Sequence, residues 1–120
     1  FYEYGADGSK EVWSGLSDLY GRDDVELSDQ DIKERLLFRQ VIEALKCLET
    51  GVLRSVADGN IGSIMGIGAP VWTGGLLQFV NTYGLQNFID RCGELTVAYG
   101  DRFEAPAIVA QKLAAGETFI

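Results

Sequence analysis

Apolar positions recur at helical spacing along most of the chain, and glycines and prolines punctuate them. Ser28 opens the best-marked run. Ile32, Leu36, Leu37, Val41, Ile42, Leu45 and Leu48 follow three and four residues apart, while Lys33, Glu34, Arg39, Gln40, Glu43 and Lys46 fill the other face. Asp31, three residues after Ser28, makes a capping-box-like pair in which Asp stands for the usual Glu or Gln. Gly51 is placed to end this helix in a left-handed cap, which predicts a spine of about five turns.

The next stretch, Ile61 to Gly75 (IGSIMGIGAPVWTGG), is apolar yet broken by Gly62, Gly66, Gly68, Gly74, Gly75 and Pro70. Glycine costs backbone entropy and proline removes a donor, so no regular element is expected to run through it. An apolar loop must pack, and this one predicts a buried, tightly turned connection on which helices dock. Before it, Ile61, Ile64 and Met65, with Asp58 near unpaired backbone donors, predict a short helix over roughly residues 57–65 closed by Gly66. After it, Leu76, Leu77, Phe79 and Val80 form a run ending near Tyr83-Gly84. Leu85, Phe88, Ile89, Cys92, Leu95 and Tyr99 mark another helix, stopped by Gly100. Pro106 sits where a last helix can begin, with Ile108, Val109 and Leu113 on its face and Gly116 after it. The apolar ending Thr118-Phe119-Ile120 is expected to tuck back onto the body.

No convincing strand pair emerges. The predicted class is therefore all-α, a compact bundle of four to five helices with short links. Residues 1–27 stand apart. Phe1, Tyr2, Tyr4, Val12, Trp13, Leu16, Leu19 and Tyr20 are interleaved with glycine and charge, and the ADGS run signals a turn. Either these large side chains wrap onto the helical body or they meet a partner. The chain starts at FYEY without a methionine, so a fragment of a longer polypeptide is expected.

Length and composition fit one modest domain: 120 residues, 47% hydrophobic and 23% charged. A net charge of -8 argues against a nucleic-acid or anionic-membrane surface, since both need a basic footprint. No run of membrane-spanning length exists. Acid is concentrated early, with twelve acidic and six basic side chains in residues 1–50 against six and four in residues 51–120. Asp23, Asp24, Glu26, Asp29 and Asp31 cluster, but the ligand spacing and central glycine of a calcium loop are missing, so a solvated helix approach is expected.

Candidate chemistry is sparse. The chain has no histidine, which removes the usual metal ligand and the usual neutral-pH base together. Cys47 and Cys92 could pair, but each falls in an apolar helical set, and reduced core thiols are the expectation. Lys46 and Glu49 near Cys47, and Arg91 and Glu94 near Cys92, are helix neighbours rather than a base with its orienter. GNIGSIMGIG has neither the dinucleotide fingerprint nor the strand it must follow, and no P-loop lysine is present. Glu43 and Asp58 flank the glycine turn, where satisfying buried backbone donors is a better reading than proton transfer. Trp72 and Phe79 form either core or a face for an acyl chain or adenine ring. No catalytic, cofactor-binding or metal-binding residue is assigned.

The central stretch and the tail carry a resemblance. IEALKCLETGV followed by SVADGNIGSIMGIGAPVWTGG resembles the C-terminal helical domain of the 3-hydroxyacyl-CoA dehydrogenase family. It is most similar to the second, degenerate copy of that domain in the large subunit of multifunctional fatty-acid oxidation enzymes. The family's Glu-Gly pair is matched by Glu49 and Gly51, separated here by Thr50, and its helix-opening acid by Asp58. The family's Gly-hydrophobic-Gly-aromatic-Pro turn is matched by Gly66, Ile67, Gly68 and Pro70, with Ala69 in the aromatic's place. Gly74-Gly75, the segment QFVNTYG (78–84) and the tail YGDRFEAPAIVAQKLAAGETF complete the match. Ile42 stands where the family usually has Asn before the residue that Glu43 matches.

The resemblance implies a helical domain at 28–120, preceded at 1–27 by a linker and the tail of an earlier copy. It implies a parent that oxidises (3S)-3-hydroxyacyl-CoA with NAD and also hydrates enoyl-CoA. NAD and catalytic residues would lie upstream, in an NAD-binding domain and a first helical copy that would be this domain's partners. A thiolase subunit is a further possible partner, and a cytoplasmic location is favoured over an organellar one. Ile42 and Ala69 depart from the pattern in the direction of packing rather than substrate contact. An autonomous acyl-CoA-binding or protein-interaction module is the alternative, and a monofunctional dehydrogenase parent is the runner-up among enzymes.

Overall fold

The computed structural model describes residues 1–22 and 24–120. Its centre is α2 (Asp29–Glu49), which starts where its sequence says it should: the Ser28 hydroxyl accepts from the Asp31 N–H at 3.0 Å. Gly51, at φ +76°, carries the chain out of it in the left-handed region that only glycine occupies cheaply. Then come α3 (Val56–Ile67), a single 3-10 turn at Val71–Thr73, α4 (Leu76–Tyr83), α5 (Leu85–Tyr99), a second 3-10 turn at Asp101–Phe103, and α6 (Ala107–Ala115). The helical bundle is all-α, as its periodicity predicts, and the termini of α4, α5 and α6 fall at Gly84, Gly100 and Gly116.

One aromatic stack holds the bundle together. Phe38 of α2 is fully buried, lies on Phe88 of α5 at 4.7 Å, and takes Tyr83 and Phe79 of α4 on its edges at 5.3 and 6.0 Å. Val41, Ile42 and Leu45 continue the same buried stripe one and two turns along. The inward face is thus centred on 38, 41, 42 and 45. Ile32 and Leu36, expected on it, are instead exposed.

Two expectations are corrected. The glycines at 62 and 66 do not stop a helix: α3 runs through both and ends at Gly68, because apolar side chains and a Ser55 cap on the Asp58 N–H outweigh the glycine penalty of about 1 kcal/mol each. Residues 1–13 do hold a strand pair. Tyr2–Tyr4 (β1) and Lys10–Val12 (β2) are antiparallel in the register Tyr2↔Val12, and the ADGS run is the turn between them. The Lys10 ammonium sits 4.0 Å over the Tyr2 ring. Gly15–Tyr20 (α1) is a further short helix outside the bundle, which holds the five helices α2 to α6 among the described residues, within the four to five expected.

The early aromatics do not wrap onto the body either. None of the described residues from 1 to 27 is buried, and Phe1 and Tyr20 stand 86% and 72% exposed. The Cα radius of gyration is 17.4 Å, against about 13–14 Å for a compact chain of this length. The hairpin and α1 therefore form an arm. At the other end the chain does tuck back: Phe119 is 1% exposed, its N–H donates to Asn81 Oδ1 at 2.9 Å, and its carbonyl accepts from Asn81 Nδ2 at 2.8 Å.

Candidate docking face

The glycine turn is packed by polar side chains that the sequence does not advertise as caps. The first N–H groups of α4 have no partner within their own helix. The N–H groups of Leu77 and Gln78 both donate to Asn60 Oδ1, at 3.0 and 2.9 Å. Leu76 N–H donates to Ser63 Oγ at 3.2 Å, and Gly75 N–H to Thr73 Oγ1 at 3.1 Å. Four donors are thereby satisfied, two side chains of α3 serving three of them. Glu49 does the same for α6, its Oε1 accepting from Ile108 N–H at 2.9 Å. Glu43 and Asp58, the carboxylates expected in that role, are both exposed, and Glu43 faces Arg39 at 3.5 Å instead.

The start of α2 is clasped to α5 by charge. Arg91 is four-fifths buried and binds Asp31, Glu34 (2.7 Å) and Glu94 (2.6 Å). Tyr99 donates its hydroxyl to Asp31 at 2.6 Å, and Tyr83 donates to Glu34 at 3.2 Å. The Tyr99 hydroxyl, with Arg91 second, holds the Asp31 carboxyl below its ordinary range. The unfolded chain therefore binds the proton more tightly than the folded one, and the clasp contributes fully only above the ordinary carboxylate value of about 3.9. Its contribution is lost as pH falls through the lowered value. Asp31→Asn should lower the thermal midpoint at pH 7 and flatten its decline between neutral and acid pH; a parallel downward shift at every pH would rule the linkage out.

Of the acidic cluster, Asp24 pairs with Arg22 at 2.8 Å and Asp31 is committed to the clasp, while Asp23 lies outside the described residues. Among the described residues no three potential ligands gather to hold a metal ion, and no helix is long and apolar enough to cross a membrane. Both cysteines are free. Cys92 is a core residue whose thiol burial pushes up to about 12, which suppresses the thiolate. Cys47 is half-buried at a groove wall. Ile42 and Ala69, where the family pattern has Asn and an aromatic, are both buried in the core.

The remaining candidate, Trp72, divides from Phe79. Phe79 is core, whereas Trp72 stands 75% exposed, its ring edge-on to Phe79 at 6.4 Å. With Leu36, Leu37, Pro70 and Tyr83 it lines a groove of about 460 Å³. A second groove of about 430 Å³ continues past Gln40 between α2 and α3, walled by Ala44, Cys47, Leu53 and Ile67 and floored by Gly59 and Gly62. Gln40 lines both, so the two grooves lie to either side of this residue along α2. Val52 and Ile67 of the second groove's lining are exposed, as are Ile61, Met65 and Val71. An exposed apolar surface of this extent is a candidate for a docking face or a ligand groove. Periodicity alone missed it because Leu36 and Trp72 look like core residues until the helix is oriented.

No protein-family model matches the chain. Curated relatives do. Over 120 residues, 99% of this chain is 33% identical to a fatty acid oxidation complex subunit alpha of Vibrio cholerae, covering 17% of that protein. Over 93 residues, 78% of it is 37% identical to the corresponding subunit of Vibrio parahaemolyticus, covering 13% of that protein. The Shewanella oneidensis subunit is 36% identical over 108 residues, 87% of this chain and 15% of its own length. The chain thus spans 13 to 17% of the length of these relatives. It is a helical chain homologous to one segment of the bacterial fatty acid oxidation complex alpha subunits.

Proposed function

We propose that this chain is a non-catalytic packing domain of a multifunctional fatty-acid β-oxidation subunit, the second, degenerate copy of the helical C-terminal domain. Residues 28–120 form the domain, and the arm at 1–27 is the linker with the tail of the copy before it. The parent oxidises (3S)-3-hydroxyacyl-CoA to 3-oxoacyl-CoA with NAD and hydrates enoyl-CoA in another domain, in the cytoplasm and in association with a thiolase subunit. NAD and the catalytic groups belong to upstream segments. What supports the reading is the match of 99% of this chain to 17% of such a subunit, in a fold that exposes an apolar face beside α2 and α3. Ile42 and Ala69, buried where the family pattern is polar or aromatic, support a copy kept for packing.

The test is complementation. The chain alone should give no NADH from a 3-hydroxyacyl-CoA, and adding it to the matching upstream fragment should raise that fragment's rate and thermal midpoint. The exposed Trp72 groove favours a second reading, an acyl-CoA-binding module, although a chain of charge -8 repels the polyanionic CoA head. An upstream fragment fully active by itself, together with saturable acyl-CoA binding to this chain, would establish the second reading instead.

A further inference from the structure

We propose that the pocket between α2 and the 3-10 turn at Asp101–Phe103 is an anion site that takes a small phosphate monoester. Binding there requires nothing from the rest of a β-oxidation subunit, so it stands or falls apart from the packing role.

The pocket's charge is the opposite of the chain's. Arg35, Arg39 and Arg102 line a space of about 480 Å³, and no acidic side chain lines it among the described residues. Three of the ten basic residues thus share one pocket in a chain of charge -8. Arg35 and Arg39 stand four residues apart on α2, a spacing at which like charges repel. The nearby carboxylates do little to relieve them. Asp31, one turn before Arg35, is held by Arg91 and Tyr99, while Glu43 is exposed and meets Arg39 at 3.5 Å. Among the described residues neither Arg35 nor Arg102 enters an ion pair. A positive pocket left open in an acidic chain attracts an anion.

The three side chains are held by aromatic rings and backbone. The Arg35 guanidinium lies over the Tyr99 ring at 4.3 Å and that of Arg102 over Phe103 at 5.2 Å. Arg39 donates to the Arg102 carbonyl at 2.6 Å, which ties the 3-10 turn to α2. Stacking occupies a guanidinium's face and leaves its N–H edge free to donate. Side chains already ordered in this way lose less freedom when a ligand arrives.

The number of guanidinium groups selects the ligand. A carboxylate offers two oxygens and one charge, which a single guanidinium fork satisfies. A phosphate monoester carries about two charges and three acceptor oxygens, enough for three forks. Leu27, Ile32 and Leu36 add apolar wall beside the arginines. The volume falls within the roughly 300–1,000 Å³ of small-ligand sites, so the ester's apolar body has a place as well as its phosphate.

Isothermal titration calorimetry on the intact chain at low salt tests this with phenyl phosphate, inorganic phosphate, benzoate and phenol. Phenyl phosphate should saturate one site with a Kd of about 1 mM or tighter. Inorganic phosphate and benzoate should bind several-fold more weakly, and phenol not at all. Arg35→Gln and Arg102→Gln should each weaken phenyl phosphate by about tenfold. Arg102 is exposed, so that variant should keep its thermal midpoint and separate lost binding from lost folding. Arg54→Gln, exposed and outside the pocket, should bind as the parent chain does. Benzoate or inorganic phosphate binding as tightly as phenyl phosphate would overturn the monoester. Binding unchanged in both pocket variants, or weakened equally by Arg54→Gln, would overturn the site.

Discussion

Replacing Gly75 by alanine is expected to cost more than about 3 kcal/mol of stability, the largest effect of any single methyl group added to this chain. Gly75 has φ +112°, outside what an L side chain tolerates. A Cβ there would lie 2.5 Å from Asn60 Cα and Cβ, so the obstacle is backbone and cannot rotate away. The close approach exists because Asn60 must bring its carboxamide oxygen within reach of the Leu77 and Gln78 N–H groups. An alanine at 75 therefore both strains the turn and pushes α3 from the start of α4, stranding buried donors that cost about 1–3 kcal/mol each when unpaired. Asn60→Ala should lose about 2–3 kcal/mol by the second route alone, whereas Asn60→Asp, which keeps an acceptor beside a helix N-terminus, should lose far less. Denaturant titration of the three variants checks this. A Gly75→Ala protein within about 1 kcal/mol of the parent chain would show that the junction is not the rigid joint described.

That joint marks where sequence legibility ends. The bounds of α2, α4, α5 and α6 could be read because their stops are local: Ser28, Gly51, Gly84, Gly100, Pro106 and Gly116 act within a turn of the residues they cap. The caps of α4 and α6 could not, because Asn60, Ser63 and Glu49 reach them from other helices, and no spacing rule spans that separation. Asp58 and Glu43 had the right chemistry for the task but the wrong side of the helix. The hairpin was missed for a different reason. Strands of three residues have too few alternations to outweigh a turn signal, and the same turn signal is what a hairpin needs. The exposed apolar face was hidden because an apolar residue at helical spacing looks the same whether it meets this chain's core or lies open on its surface. Only the orientation of α2, fixed by Phe38, shows that Leu36 and Trp72 lie on the open side.

Phe119→Ala should cost about 3–4 kcal/mol. Its ring is 1% exposed and belongs to the same core as Phe38 and Val109. Two interactions hold it. Burial of the ring supplies most of the energy, and the Asn81 carboxamide clamps the residue's N–H and carbonyl at 2.9 and 2.8 Å, which keeps the backbone from peeling away. Neither suffices alone: an unclamped tail pays the full entropy of ordering, and a clamped tail without its ring leaves a cavity. The two substitutions must therefore be non-additive. Asn81→Ala alone should lose about 1–2 kcal/mol, but in the Phe119→Ala background it should lose little, giving a coupling of about 1 kcal/mol in a double-mutant cycle. Additive losses would mean that the tail is held by its ring only. Coupled losses would make the segment at Phe119 an integral wall of the bundle, held against α4 by ring and clamp together.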